Sequence, residues 1–445
     1  MKLILLIISL LAVGTTARAG ALKQANPENY RRLLATLAPG DTLVLAPGVY
    51  DRGLPISNCH GAPERWITIQ GPQTGVAEIR QTQAANCVEL RQCSYVALKR
   101  LSIVGEGSNA SRVLFGISAK GGLENKVHHI LIEDCLISDW RGSQQAVGIS
   151  TKTPTWDWTI RRNIIRNCGT GLYLGNANGA DPFIRGLIEH NLVMDPIGYC
   201  MEIKYQKPRP NLPDMPTAAS STIIRHNVFI KNDAPSPDGS RPNVLVGGFP
   251  ESGPGAEDWY EIYGNVFWHN PRESLLQASG RVSIHDNLFV NCPSVGHAAI
   301  TLRSHDLPLK RVHLYHNTIV AAARGIRVGN AAPEGNRIIG NIIFADEPLA
   351  LHRAISQVSE NLTGPVAAAA QHLAKPVPVL GEVDLHPKPG RCEGPPLDLS
   401  VFAREQDFAK DFDGRPRNTN TARGAYAGPA TQQSWRLQAD RKPMR

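Results

Sequence analysis

The chain has 445 residues, with 47 Lys and Arg against 39 Asp and Glu for a net charge of +8, and only 6% of its residues are aromatic. No apolar run approaches the roughly 20 residues a spanning helix needs, so no membrane span is expected, and a basic surface on an exported chain favours acidic glycans or lipid head groups over nucleic acid. With 40 Gly and 33 Pro the sequence is dense in turns, and a repeat architecture growing along one axis replaces the two or three globular domains that the length would otherwise suggest.

The first 19 residues read as a secretory signal peptide. Lys2 is followed by an apolar run from Leu3 to Val13, broken only by Ser9, and Ala17-Arg18-Ala19 precedes Gly20, which is a charged start, a short apolar core and an A-x-A cleavage site. Gly20 is not a cysteine, so no lipid anchor is expected there, and the mature protein is predicted to be periplasmic or secreted. Residues 20–52 form an N-terminal cap and first strand. Asn26 and Pro27 open a short helix carrying Tyr30, Leu33, Leu34 and Leu37 at helical spacing, which would plug the open end of a β-solenoid.

From residue 53 to 363 the chain repeats. Ile132-Glu133-Asp134-Cys135-Leu136-Ile137 and Ile160-Arg161-Arg162-Asn163-Ile164-Ile165 are followed by six further copies centred on Asn191, Asn227, Asn265, Asn287, Asn317 and Asn341, spaced 22 to 38 residues apart. Such a period marks stacked supersecondary units. Apolar residues flank a tight bend, and the Asn at the bend can hydrogen-bond its equivalents above and below. The fold expected is all-β, a right-handed parallel β-helix.

A further strand follows each bend, within 147–152, 171–175, 200–206, 243–247, 299–303 and 325–329. Alternation turns Ile149, Leu174, Ile203, Val246, Leu302 and Val328 inward and leaves Ser150, Lys152, Tyr173, Glu202, Lys204, Thr301, Arg303 and Arg327 on the outer face. With Lys120 from an earlier coil, these give a column of basic residues suited to a linear polyanion. Residues 364–430 read as an irregular C-terminal closure and 431–445 as a disordered tail. Eight cysteines permit disulfides in an exported chain; Cys87 and Cys93 are the first candidate pair, while Cys135, Cys168 and Cys292 suit apolar stacking positions in the repeat.

Together the capping helix, the repeats and the bend asparagines resemble the pectate-lyase-like superfamily of parallel β-helix proteins. Leu37-Ala38-Pro39-Gly40-Asp41-Thr42-Leu43-Val44-Leu45 with Pro47-Gly48-Val49-Tyr50 resembles the first coil of alginate and chondroitin lyases, and Trp66-Ile67-Thr68-Ile69-Gln70-Gly71 their second. The resemblance implies a polysaccharide lyase that cleaves a uronate-containing polymer by β-elimination. The alternatives are a non-catalytic protein that binds an acidic glycan and a uronate C5-epimerase. The absence of an Asp-Pro-His-Asp motif argues against the epimerase. A monomer is expected, with acidic polysaccharide as its partner.

The two longest spacings, 36 and 38 residues on either side of Asn227, direct attention to one place. Extra residues in a solenoid form loops on its binding face, and here 207–221, 232–241 and 250–258 would wall a groove around Met201-Glu202-Ile203-Lys204-Tyr205-Gln206. Lys204, Lys207 and Arg209 are the candidate catalytic residues. Crowding of Lys204 by Lys207 and Arg209 would favour the free amine that a general base needs. Glu202, Tyr173, Arg241, Lys152 and Arg303 are the candidate substrate-binding residues. Glu202 with Lys207, and the run Glu202-Ile203-Lys204, resemble lyase strand motifs, which would make Glu202 a ligand for calcium. The sequence departs from that pattern where Cys200 and Met201 replace a second carboxylate and where the arginine of the next coil has Arg241 as its nearest counterpart. Hydrolysis would need a pair of carboxylates, and the exposed strand positions offer only Glu202.

Overall fold

The computed structural model describes residues 19–82, 85–107, 115–332, 335–352 and 355–444; the signal-peptide reading of residues 1–19 falls almost entirely outside them. Three long parallel sheets of 14, 12 and 11 strands run along one axis, as a right-handed β-helix requires. A typical coil runs from Val127–Glu133 in the first sheet, through the bend at Cys135, to Leu136–Trp140 in the second and Val147–Lys152 in the third. Among the described residues no helix is long and apolar enough to cross a membrane.

The bend explains the repeat. In each coil the residue before the ladder position lies in the left-handed region, with φ between +51° and +66° from Asp134 through Arg162, His190, His226, Gly264, Asp286, His316 and Gly340 to Glu360. Asp, Asn and His are enriched in that region and Gly enters it freely, so the three histidines are turn residues. The following Asn then points into the stack. Asn163 donates its backbone N–H and its Nδ2 to Asn191 Oδ1, both at 3.0 Å, and Nδ2 also reaches Ile132 O at 2.9 Å. The same pattern continues through Asn227, Asn265, Asn287, Asn317 and Asn341 to Asn361. Every ladder Asn from Asn163 to Asn341 is fully buried.

Stacking also organises the outside of the first sheet. Lys99, Glu133 and Arg161 alternate in charge on successive coils, and further along the rings of Tyr263, His285, Tyr315 and Phe402 stack at 4.8, 4.7 and 4.1 Å. These side chains bury apolar faces and satisfy charge within the wall itself.

At the N-terminal end, Leu22–Ala25 pairs with Thr42–Leu45 and a single-turn helix, Tyr30–Leu34, covers the core. Asn26 Oδ1 accepts the N–H groups of Glu28 and Asn29 and so initiates the turn, while Asn29 occupies the N-cap itself.

Two expectations are corrected here. All eight cysteines are free and buried, Cys87 and Cys93 included; both thiols donate to backbone carbonyls inside the wall, to Ile79 and Ile56 respectively. The tail from 431 onward is irregular but packed. Trp435, Leu437 and Lys442 are buried, and Lys442 Nζ donates to Gly264 O at 3.1 Å. The closure does more than end the helix. Leu373, Leu385, Phe412, Tyr426, Trp435 and Leu437 pack on Leu192, Val228, Val266 and Leu288 of the second sheet, which explains why strands such as Val228–Ile230 and Val266–Trp268 are apolar on both faces. The second sheet is thereby covered, and the 397–410 segment and the tail lie against much of the first. The third sheet takes no part in these two apolar clusters.

Candidate functional site

Register across the third sheet fixes which side chains meet. Ser118, Ser150, Tyr173, Glu202, Leu245, Gln277, Thr301 and Arg327 succeed one another on adjacent coils of the outer face, and Lys120 lies beside Lys152 in a parallel column. The six inward residues expected from alternation are all buried. On the outer side Ser150, Glu202 and Thr301 are also largely covered, as the floor beneath longer neighbours, whereas Arg303 and Arg327 are exposed.

The long loops stand where their length suggested. Gln144 Nε2 donates to Gly239 O at 2.8 Å, which pins 232–241 along the edge where chains enter the third sheet. On the opposite edge, 207–221 folds back so that Lys126 Nζ donates to Pro213 O at 3.0 Å, and Met215 packs on Trp156 and Ile184. Lys310 Nζ holds Pro250 O at 2.7 Å in the third loop.

Between these walls lies a cationic, aromatic floor. Lys152 Nζ sits 5.0 Å from the Phe115 ring centroid and 5.3 Å from that of Tyr173, close enough for cation–π attraction. Lys120 Nζ shares the Phe115 ring at 5.5 Å. Neither lysine has a carboxylate partner among the described residues. Burial, and then the charge of Lys120, lower the pKa of Lys152. Glu202 is tied to Lys204, Oε1 to Nζ at 2.8 Å. Arg241 lies 5.8 Å from the Tyr199 ring and donates to Ser240 O and Asp238 O of its own loop. Burial and the Glu202 carboxylate push up the pKa of both Tyr173 and Tyr199, so both hydroxyls stay protonated.

Three sequence expectations change. Arg209 does not face the groove: its side chain is 1% exposed, it pairs with buried Asp258, and it donates to Pro216 O and Ala218 O. Lys204 is therefore not crowded by Arg209 but held by a carboxylate, while Lys207 is exposed at the groove edge. Glu202 does not fit a calcium site. Calcium takes six to eight oxygens, yet the neighbours of Glu202 in register are Tyr173 and Leu245 and its carboxylate already holds an ammonium. Among the described residues no group of three His, Cys, Asp or Glu is placed to hold a metal.

Sequence reasoning missed part of the face. Tyr199 immediately precedes the strand assigned from Cys200, and Leu276–Ala278, in a short coil of 22 residues, went unassigned. That strand brings Gln277 and, just before it, Glu273, which also influences Tyr199. The face thus carries two carboxylates rather than one. Glu273 Oε1 accepts Gln277 Nε2 at 3.0 Å and the Ser274 N–H at 2.9 Å, and lies 3.3 Å from His297 Nε2.

No family model and no curated protein matches the chain. Solved structures similar to it include the A-module of the mannuronan C-5 epimerase AlgE6 from Azotobacter vinelandii, with 16% identity, 73% of this chain and 91% of that one covered, and a TM-score of 0.48. Pectate lyase Pel9A has 11% identity over 96% of this chain and 98% of its own, also at 0.48. A mannuronic acid specific family 6 polysaccharide lyase from human gut microbiota has 13% identity over 75% and 83%, at 0.43. At such identities the likeness is one of fold. The three parallel sheets and the bend ladder establish that fold by themselves: the chain is a right-handed parallel β-helix.

Proposed function

We propose that the protein is an exported lyase that cleaves a uronate-containing polysaccharide by β-elimination, with the polymer lying along the axis on the open face of the third sheet. Coils stack about 4.8 Å apart, close to the length of one sugar unit in an extended chain, so successive units would meet successive coils. The observation that carries the reading is Lys152, a half-buried amine between two rings, beside Lys120, with no carboxylate to hold it charged among the described residues.

β-Elimination needs three things: charge against the uronate carboxylate, a base for the proton on the adjacent carbon, and an acid for the departing oxygen. Lys204, oriented by Glu202, and Arg241 supply the first. Lys152 as the free amine supplies the second, with Lys204 and Lys207 the alternatives from the sequence. The C–H electron pair becomes the new double bond, the C–O bond breaks, and the oxygen takes a proton from Tyr173 or Tyr199, which solvent then restores. No step runs through a metal.

Lys152→Ala should lower turnover on a susceptible polymer by about 100- to 10,000-fold, and the wild-type rate should climb with pH toward the lowered pKa of Lys152, because only the free amine accepts a proton. Lys204→Ala should chiefly raise KM, since a carboxylate clamp acts in ground and transition states alike. Turnover unchanged by Lys152→Ala would remove this assignment. A second reading, a glycan-binding protein without turnover, is favoured by one observation, that Glu202 is already neutralised by Lys204. Both readings predict binding that weakens steeply with salt; only the lyase yields an unsaturated sugar end.

A further inference from the structure

Two coils beyond Glu202, at the edge where the chain enters the third sheet, lies a cluster that elimination does not use. Cys292 ends one strand, Ala298 begins the next, and the short loop between them carries Ser294 and His297. His297 Nδ1 is 3.0 Å from Ser294 Oγ, and its Nε2 is 3.3 Å from Glu273 Oε1. Glu273 belongs to the preceding coil and is fixed by the Ser274 N–H and by Gln277 Nε2. A hydroxyl is thus hydrogen-bonded to an imidazole whose other nitrogen lies within ion-pair reach of a carboxylate, the three groups that activate a serine for acyl transfer. The ring is turned relative to the commoner arrangement, with Nδ1 rather than Nε2 at the hydroxyl. The three-residue offset from Ser294 to His297 within one loop brings Nδ1 to the serine.

The surroundings suit a reacting ester. Ser294 is 6% exposed and sits at the base of the loop, while Val295 beside it is 83% exposed. A methyl group at Gly296 would meet nothing within 4 Å, so the tip of the loop is free of neighbours. The backbone N–H groups of Val295 and Gly296 are engaged by no other group among the described residues, and donors of this kind are what a tetrahedral oxyanion requires.

We infer that Ser294, His297 and Glu273 form a second catalytic centre, which hydrolyses O-acyl esters carried by the polysaccharide bound along this face. Ser294 Oγ attacks the ester carbonyl as His297 Nδ1 takes its proton. The tetrahedral intermediate collapses, the C–O bond to the sugar breaks, and His297 returns the proton to the departing sugar oxygen. Water, deprotonated by His297, then cleaves the acyl-serine, releasing a carboxylic acid and restoring the hydroxyl. Glu273 acts as a positioning residue through His297.

The test uses the full mature chain, p-nitrophenyl acetate, an O-acetylated polyuronate and a fluorophosphonate probe. The probe should form a covalent adduct that peptide mass spectrometry locates at Ser294, and His297→Ala should abolish labelling. Ser294→Ala and His297→Ala should each reduce ester hydrolysis at least about 100-fold, and Glu273→Gln should lower kcat with little change in KM, a split that loosened packing alone would not give. Probe labelling and p-nitrophenyl acetate hydrolysis by the wild-type protein need no elimination and no bound polymer, so they would persist in a protein that gives no unsaturated product, and this inference and the lyase reading fail separately. Absence of an adduct at Ser294 in the folded wild-type protein, or ester hydrolysis unaffected by Ser294→Ala, would overturn it.

Discussion

Asn227→Ala should destabilise the protein by at least about 3 kcal/mol, one of the largest effects of any single truncation in the helix. The substitution strands the Asn191 backbone N–H and the Ile188 carbonyl, and takes one of the two acceptors of Asn191 Nδ2, which keeps Ile160 O. Each buried polar group left without a partner costs about 1–3 kcal/mol, and the site is fully buried, so water cannot replace the amide without opening the stack. Asn361→Ala is the control. It ends the ladder at a half-exposed position, where water can take over, and it should cost under about 1 kcal/mol. Denaturant midpoints for the two variants give the comparison, and equal losses would mean that the ladder is not what holds the bends in register.

Arg209→Ala should cost about 3–5 kcal/mol, the expected penalty for removing one partner of a buried ion pair, and should do so without a catalytic role. Both side chains are almost fully buried, at 1% and 4% exposure, so the truncation leaves Asp258 charged in a dry site. It also deprives Pro216 O and Ala218 O of their donor, and the double variant Arg209→Met with Asp258→Leu should therefore recover only part of the loss. Because Arg209 fastens the 207–221 loop rather than facing substrate, kcat measured well below the melting temperature should stay near the wild-type value. A thermal melt paired with steady-state kinetics separates the two roles. A large loss of kcat in a protein that melts like the wild type would return Arg209 to the catalytic residues.

These two side chains also mark how far the sequence could be read. Asn227 was legible because its function is periodic: the same residue type recurs at the same point of every coil from Asn163 to Asn361, preceded by one held at positive φ, and a solenoid repeats its physics with its sequence. The inward faces from Ile149 to Val328 were legible for the same reason. Arg209 was not, since its partner Asp258 is 49 residues away in another non-repeating loop, and adjacency to Lys204 and Lys207 in sequence suggested a shared charge cluster that the backbone turn undoes. The packed tail was missed because Lys442 meets Gly264 across 178 residues. A signal for the closure did exist. Leu192-Val193-Met194, Val228-Phe229-Ile230 and Val266-Phe267-Trp268 are apolar at every position, whereas a strand with one wet face should alternate. Continuous apolar runs in the second sheet required a cover, and the closure that supplies it leaves the third sheet as the face on which it does not pack. Glu273 and Ser294 lie outside the repeat, where periodicity carries no information.

The central claim is that this open face performs β-elimination on a polyuronate, and absorbance from the unsaturated sugar end measures it most directly. The purified protein is mixed with a set of uronate-containing polymers and with neutral glycans of similar length, and the ultraviolet trace is followed across pH and salt. The account predicts a rising signal with at least one uronate polymer and none with the neutral glycans, a rate that increases with pH and falls with salt, and a nearly flat trace for Lys152→Ala. Salt-sensitive binding to a polyuronate with no unsaturated product from any of them would contradict it.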